Sequence, residues 1–154
     1  MKLRECALVL VVSLAVTAVL SAQGSERAAV LATVNKLFDG MRTRNSALIL
    51  SAFDESAQLV RVSDRNGVPA VAPMPIARFA AAVAGAKAGD VWDERLSSPQ
   101  VRIDGNLAQV WSPYTFHLNG VLHHCGTDAF MLLKVGGTWK ITQVADTERT
   151  CGGK

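Results

Sequence analysis

The residue types able to move protons crowd into one stretch, Trp111-Ser-Pro-Tyr114-Thr115-Phe116-His117-Leu-Asn119-Gly120-Val-Leu-His123-His124-Cys125-Gly126-Thr-Asp128-Ala-Phe130. An imidazole changes charge near neutral pH. A carboxylate buried beside an indole is pushed to a higher pKa, as acid–base chemistry at neutral pH requires. His124 and Asp128 are therefore the candidate catalytic pair, one a base and the other an acid or orienting group. The plainer alternative is that Asp128 caps a backbone N–H or pairs with an arginine such as Arg95, and that His124 packs in the core.

Asn119-Gly120 marks a hairpin, because a type I′ turn needs two residues that tolerate positive φ. With a two-residue turn, Leu118 faces Val121, Thr115 faces His124 and Trp111 faces Asp128, with Cβ atoms about 5 Å apart. Trp111, Pro113, Thr115 and His117 then share a face with His124, Gly126, Asp128 and Phe130. The other face carries Val110, Tyr114, Phe116, His123 and Cys125. A bulge at Pro113 and Gly126 would shift this pattern beyond it. Trp111, Tyr114, Thr115 and Phe130 are the candidate ligand-contacting residues, with Tyr114 a candidate oxyanion donor across the sheet from Asp128. His124 and Asp128 lie about 13 Å apart along one strand, so they address two ends of a substrate rather than each other. His123 and His124 are expected on opposite faces, His117 in solvent near the turn, and no metal site follows from them. No serine sits in a nucleophile elbow and no glycine loop cradles a phosphate, so no cofactor is expected.

The elements that must position these groups follow from periodicity. After Ser25, a plausible N-cap, Val30, Leu31, Val34, Leu37, Phe38 and Met41 recur at helical steps and form one apolar stripe. Arg42 and Arg44 suit the helix C-terminus. A short helix with Leu48, Ile49 and Phe53 inward follows, then a strand over 57–62 and a turn at Asp64-Arg-Asn-Gly67. Pro69, Pro73 and Pro75 read as a connection. Residues 76–86, rich in alanine around Phe79 and Val83, read as a small close-packing helix. The remainder reads as strands over 91–95, 100–103, 108–118, 121–135 and 138–146, separated by Asp104-Gly105-Asn106, Asn119-Gly120 and Gly136-Gly137, an antiparallel meander. Trp92 and Trp139 read as core. Helices first and strands after argue for an α+β fold: a curved antiparallel sheet wrapped as a cone around the long N-terminal helix. Such a cone leaves a funnel able to bind a small apolar molecule.

Lys2 and Arg4 precede an apolar run from Cys6 to Leu20, with small residues to Ala22, the pattern of a secretory signal peptide over 1–22. The run is short for a membrane span. Export, cleavage near Ala22 and a single domain over 23–154 are the expectation, with no membrane attachment afterwards. The chain carries 16 basic and 13 acidic residues. Without Lys2, Arg4 and Glu5, 14 and 12 remain. The charges are interspersed, so nucleic-acid binding is not expected. Cys125 and Cys151, left as an even pair in an oxidising compartment, read as a disulfide.

The element order, with Trp111-x-Pro-Tyr114-x-Phe116, Gly120, His124-Cys125-Gly126-x-Asp128-Ala-Phe130 and Trp139-Lys-Ile141, resembles the nuclear-transport-factor-2-like superfamily. This superfamily is also termed SnoaL-like or cystatin-like α+β. The resemblance is to its exported bacterial branch labelled lumazine-binding, and spans roughly residues 25–151. It implies a homodimer formed through the outer sheet face. The superfamily holds isomerases, dehydratases, hydrolases, cyclases and non-enzymatic binders, so fold alone does not fix chemistry. The leading expectation is an exported domain binding a small apolar or aromatic ligand. The alternatives are a cofactor-free isomerase, dehydratase or hydrolase using His124 and Asp128, and a dimeric interaction module without ligand.

Overall fold

The computed structural model describes residues 23–65 and 68–152. The expected signal segment lies outside these, as do residues 66 and 67 of the first expected turn. Helix α1 covers 23–42, followed by α2 (Ser46–Ala52), β1 (Phe53–Arg65), β2 (Val68–Pro75), α3 (Ile76–Ala84), β3 (Trp92–Leu96), β4 (Gln100–Asp104), β5 (Leu107–Leu118), β6 (Val121–Val135) and β7 (Thr138–Arg149). The fold is α+β, with helices against one face of an open, curved sheet.

The stripe read from α1 is the buried one: Val30, Val34, Leu37, Phe38 and Met41 join Val110, Phe130, Leu132 and Ile141 in the core. Phe38 meets Phe130 edge to face at 6.2 Å between ring centres. The helix ends where Arg44 takes a left-handed conformation, φ 53°. Asn45 then caps α2 by accepting from the Leu48 N–H at 2.9 Å. Glu26 fixes the other end of α1, accepting from Trp139 Nε1 at 3.0 Å and Lys134 Nζ at 2.7 Å.

The seven strands run in the order β2-β1-β7-β6-β5-β3, with β4 also paired to β5. The pairs are antiparallel except β1–β7, which is parallel and sets Arg61 beside Asp146. The proline-rich segment expected as a connection is strand β2, at the sheet's edge. Pro73 and Pro75 are two apart, so their nitrogens face the same side, and an edge strand tolerates such prolines because one of its sides carries no ladder. Segments β3 and β4 form one interrupted edge along β5, broken near Ser98 at φ 52°.

The hairpin register departs from a regular two-residue hairpin. Leu118 faces Val121 and His117 faces Leu122 as expected, but Phe116 then faces His124, leaving His123 as the extra residue of a bulge. The bulge lies three residues nearer the turn than one at Pro113 and Gly126 would, so beyond it Tyr114 faces Gly126, Ser112 faces Asp128 and Trp111 faces Ala129.

Candidate functional site

The bulge redistributes the faces. Tyr114, Phe116, His124, Asp128 and Phe130 share the inner face, while Trp111 and Thr115 take the outer one. Trp111 is half exposed there, beside Gln100, Arg102 and Gln109, and Thr115 faces Cys125. The expected placement of Trp111 and Thr115 with Asp128, and of Tyr114 across the sheet from it, is therefore reversed. The reason is one added residue: a one-residue slip exchanges the faces of every residue beyond it.

Between α1, α3 and the inner face lies a cavity of about 340 Å³. Its apolar walls are Leu37 and Met41 of α1, Phe79 of α3, Trp92 of β3, Phe116 and Leu118 of β5, and Phe130 of β6. Trp92, expected in the core, is a half-buried wall residue that meets Phe116 edge to face at 6.0 Å. The polar side holds Asp90, Glu94, Asp128, Asp146, Glu148, Arg61, His123 and His124.

Asp128 is 2 % exposed. It faces Asp146 across the strand pair, and its carboxyl hydrogen-bonds that of Glu94. Two carboxyls can bond in this way only by sharing a proton. Burial raises both groups, Glu94 to about 7 and Asp128 well above the carboxylate range, with Asp146 adding to each. The pair therefore holds one proton between its two carboxyls. The arginine expected at Asp128 is elsewhere: Arg95 donates to Asp93 at 2.7 Å.

Asp146 Oδ2 accepts from Arg61 Nε at 2.8 Å, and Arg61 Nη1 donates to Glu148 at 2.9 Å. Asp146 Oδ1 and Asp128 Oδ2 are buried with no N–H or hydroxyl donor among the described residues. Tyr114 lies behind the cavity wall. Its hydroxyl donates to the Thr147 carbonyl at 3.0 Å, and its ring occupies the space that a side chain on Gly126 would need. Burial, then the charges of Glu94, Asp146 and Asp128, push this phenol upward, so it stays protonated with its proton committed.

His123 and His124 do not diverge. The bulge turns both toward the cavity mouth, with their Nδ1 atoms 2.9 Å apart. His124 stacks on Phe116 at 4.8 Å, and burial lowers its pKa, so it is neutral at pH 7. His117 is half-buried, with Nδ1 enclosed and unbonded, rather than in solvent. Cys125 and Cys151 form the expected disulfide, Sγ–Sγ 2.07 Å. No group of three or more His, Cys, Asp or Glu residues suited to a metal occurs among the described residues.

A family model described as "Putative lumazine-binding" matches residues 25–145. The chain belongs to that family. Its placement in the nuclear-transport-factor-2-like superfamily agrees with solved structures. An NTF2-like protein of unknown function from Shewanella baltica superposes with TM-score 0.61 at 19% identity, over 81% of this chain and 94% of that one. An NTF2-like protein with a cystatin-like fold from Novosphingobium aromaticivorans gives 0.66 at 13%, over 90% of each. An NTF2-like protein from Cytophaga hutchinsonii gives 0.65 at 13%, over 80% of this chain and 98% of that one. At these identities the likeness concerns the fold. No curated protein sequence matches the chain.

Glu94, Arg61 and Asp146 were not singled out in the sequence. Glu94 sits in Trp92-Asp-Glu94-Arg-Leu96, which reads as a solvated charged strand, and only sheet curvature brings it to Asp128. Arg61 and Asp146 meet through the parallel β1–β7 pair, for which the chain carries no local signal.

Proposed function

We propose that the protein binds a small molecule with a flat ring in this cavity, as an exported single domain over 23–154. The observation that carries the reading is the cavity's construction. Ring and aliphatic walls face buried carboxyl oxygens that lack protein donors, so a ligand would complete their hydrogen bonding. The family description and the fold support a small-molecule site. Export is supported by the Cys125–Cys151 disulfide, which persists in oxidising compartments. No helix among the described residues is long and apolar enough to cross a membrane. Titration with a panel of flat ring compounds, lumazine included, should give saturable binding and raise the unfolding temperature. Absence of both across the panel counts against the reading.

A second reading, acid–base catalysis without a cofactor, is favoured by the Glu94–Asp128 pair. Glu94 with a pKa of about 7 is matched to proton transfer at neutral pH, and the pair holds a proton to exchange. Here Glu94 joins Asp128 in the role first given to His124 and Asp128. Asp128→Asn, whose amide still donates to Glu94, retains binding under both readings and abolishes turnover under the catalytic one.

A homodimer through the outer face is also proposed. Leu107, Trp111 and Leu133 form exposed apolar positions there, of the kind that a partner covers.

A further inference from the structure

We propose that the cavity selects a small organic cation, a flat apolar body carrying a protonated nitrogen; this rests on the small-molecule reading above. The first support is the balance of charge. Five carboxyls line the cavity, those of Asp90, Glu94, Asp128, Asp146 and Glu148, against one guanidinium, that of Arg61. With one proton shared between Glu94 and Asp128, four formal negative charges face one positive charge. Arg61 is already spent on Asp146 and Glu148. The chain as a whole is +3, so the negative surplus belongs to this cavity and not to the protein.

The second support is independent of charge counting. Asp146 is 5 % exposed and holds Oδ1 without a donor, although Arg61 satisfies its other oxygen. A buried carboxylate oxygen is costly to leave unpaired, and a cationic N–H is the strongest group that could pair it. The third is the adjoining wall, where Phe116 is the cross-strand partner of Glu94. Phe79, Trp92 and Phe116 present ring surface to the same space, and aromatic faces attract cations and exclude water from the pair. An anionic ligand would meet the carboxyls with no free cation to offset them.

The charged and titratable groups facing Glu94 are Arg61 from β1, Tyr114 from β5, His123, His124 and Asp128 from β6, Asp146 and Glu148 from β7, and Asp90. The helices contribute only Leu37, Met41 and Phe79 to the lining. Deprotonation of Glu94 as pH rises adds negative charge.

Calorimetric titration of the full chain with 1-naphthylmethylammonium and with its uncharged isostere 1-ethylnaphthalene tests the proposal. The cation is expected to bind about tenfold more tightly at pH 8, the worth of one charge-assisted contact. Its affinity should fall between pH 8 and pH 5.5 while the isostere's stays level. Glu94→Gln, which keeps a hydrogen-bonding amide beside Asp128, should remove most of the cation's advantage and leave the isostere unchanged. If that variant does not fold, the wild-type pH series decides. Equal binding of the two probes, or a cation affinity level with pH, overturns the cation proposal and leaves the small-molecule reading standing. Binding of neither overturns both.

Discussion

A proton held between Glu94 and Asp128 ties the stability of the fold to pH. Unfolded, Glu94 would titrate near its ordinary value of 4.5; folded, it titrates at about 7. Between those values the folded protein binds more protons than the unfolded chain, so stability falls as pH rises and levels above the folded pKa. Asp128, raised in the same way, adds to the same slope. Urea unfolding at pH 5 and pH 8 should differ by up to about 3 kcal/mol in favour of pH 5, and Glu94→Gln should flatten much of the difference. A flat wild-type profile would refute the shared proton. Gly126 sets a second expectation. A side chain there would run into the Tyr114 ring and the Thr147 carbonyl, and the carbonyl is backbone. Gly126→Ala should cost about 2 kcal/mol or more in urea unfolding, because the neighbours on both sides are fixed.

Among the elements, the β5–β6 hairpin shows best what could be read in advance. Asn119-Gly120 announced the turn, and Asn119 does take positive φ, 55°. The bulge at His123 had no such announcement: nothing in His123-His124 distinguishes an extra residue from a paired one. One unreadable residue therefore moved Tyr114 inward and Trp111 outward while leaving the bounds of β5 and β6 nearly where alternation put them. The helices were legible because each carries its own apolar stripe. The Arg61–Asp146 contact was not, because strands far apart in the chain make it. The two cysteines were legible by count alone. Their bond closes a span of 26 residues around β7. Replacing both with serine should lower stability by about 3–4 kcal/mol in the chain-entropy account, and urea unfolding of the double variant measures it. A loss near zero would mean that β7 holds the C-terminal segment without the bond.

At the scale of the whole molecule, the outer sheet face and the sheet edges have different fates. If Trp111 sits between subunits, Trp111→Lys should convert a dimer into a monomer by light scattering without loss of the fold. A monomeric wild-type protein would end the dimer proposal.

The edges lead elsewhere. On the edge strand β2, Pro73 and Pro75 supply no N–H donors, and on the opposite edge the line of β3 and β4 is broken near Ser98. A neighbouring chain that tried to continue the sheet from either side would find too few consecutive partners to lengthen it. These two modest irregularities thus act as stoppers against fibril growth, a protection of most use to molecules that fold side by side at high concentration.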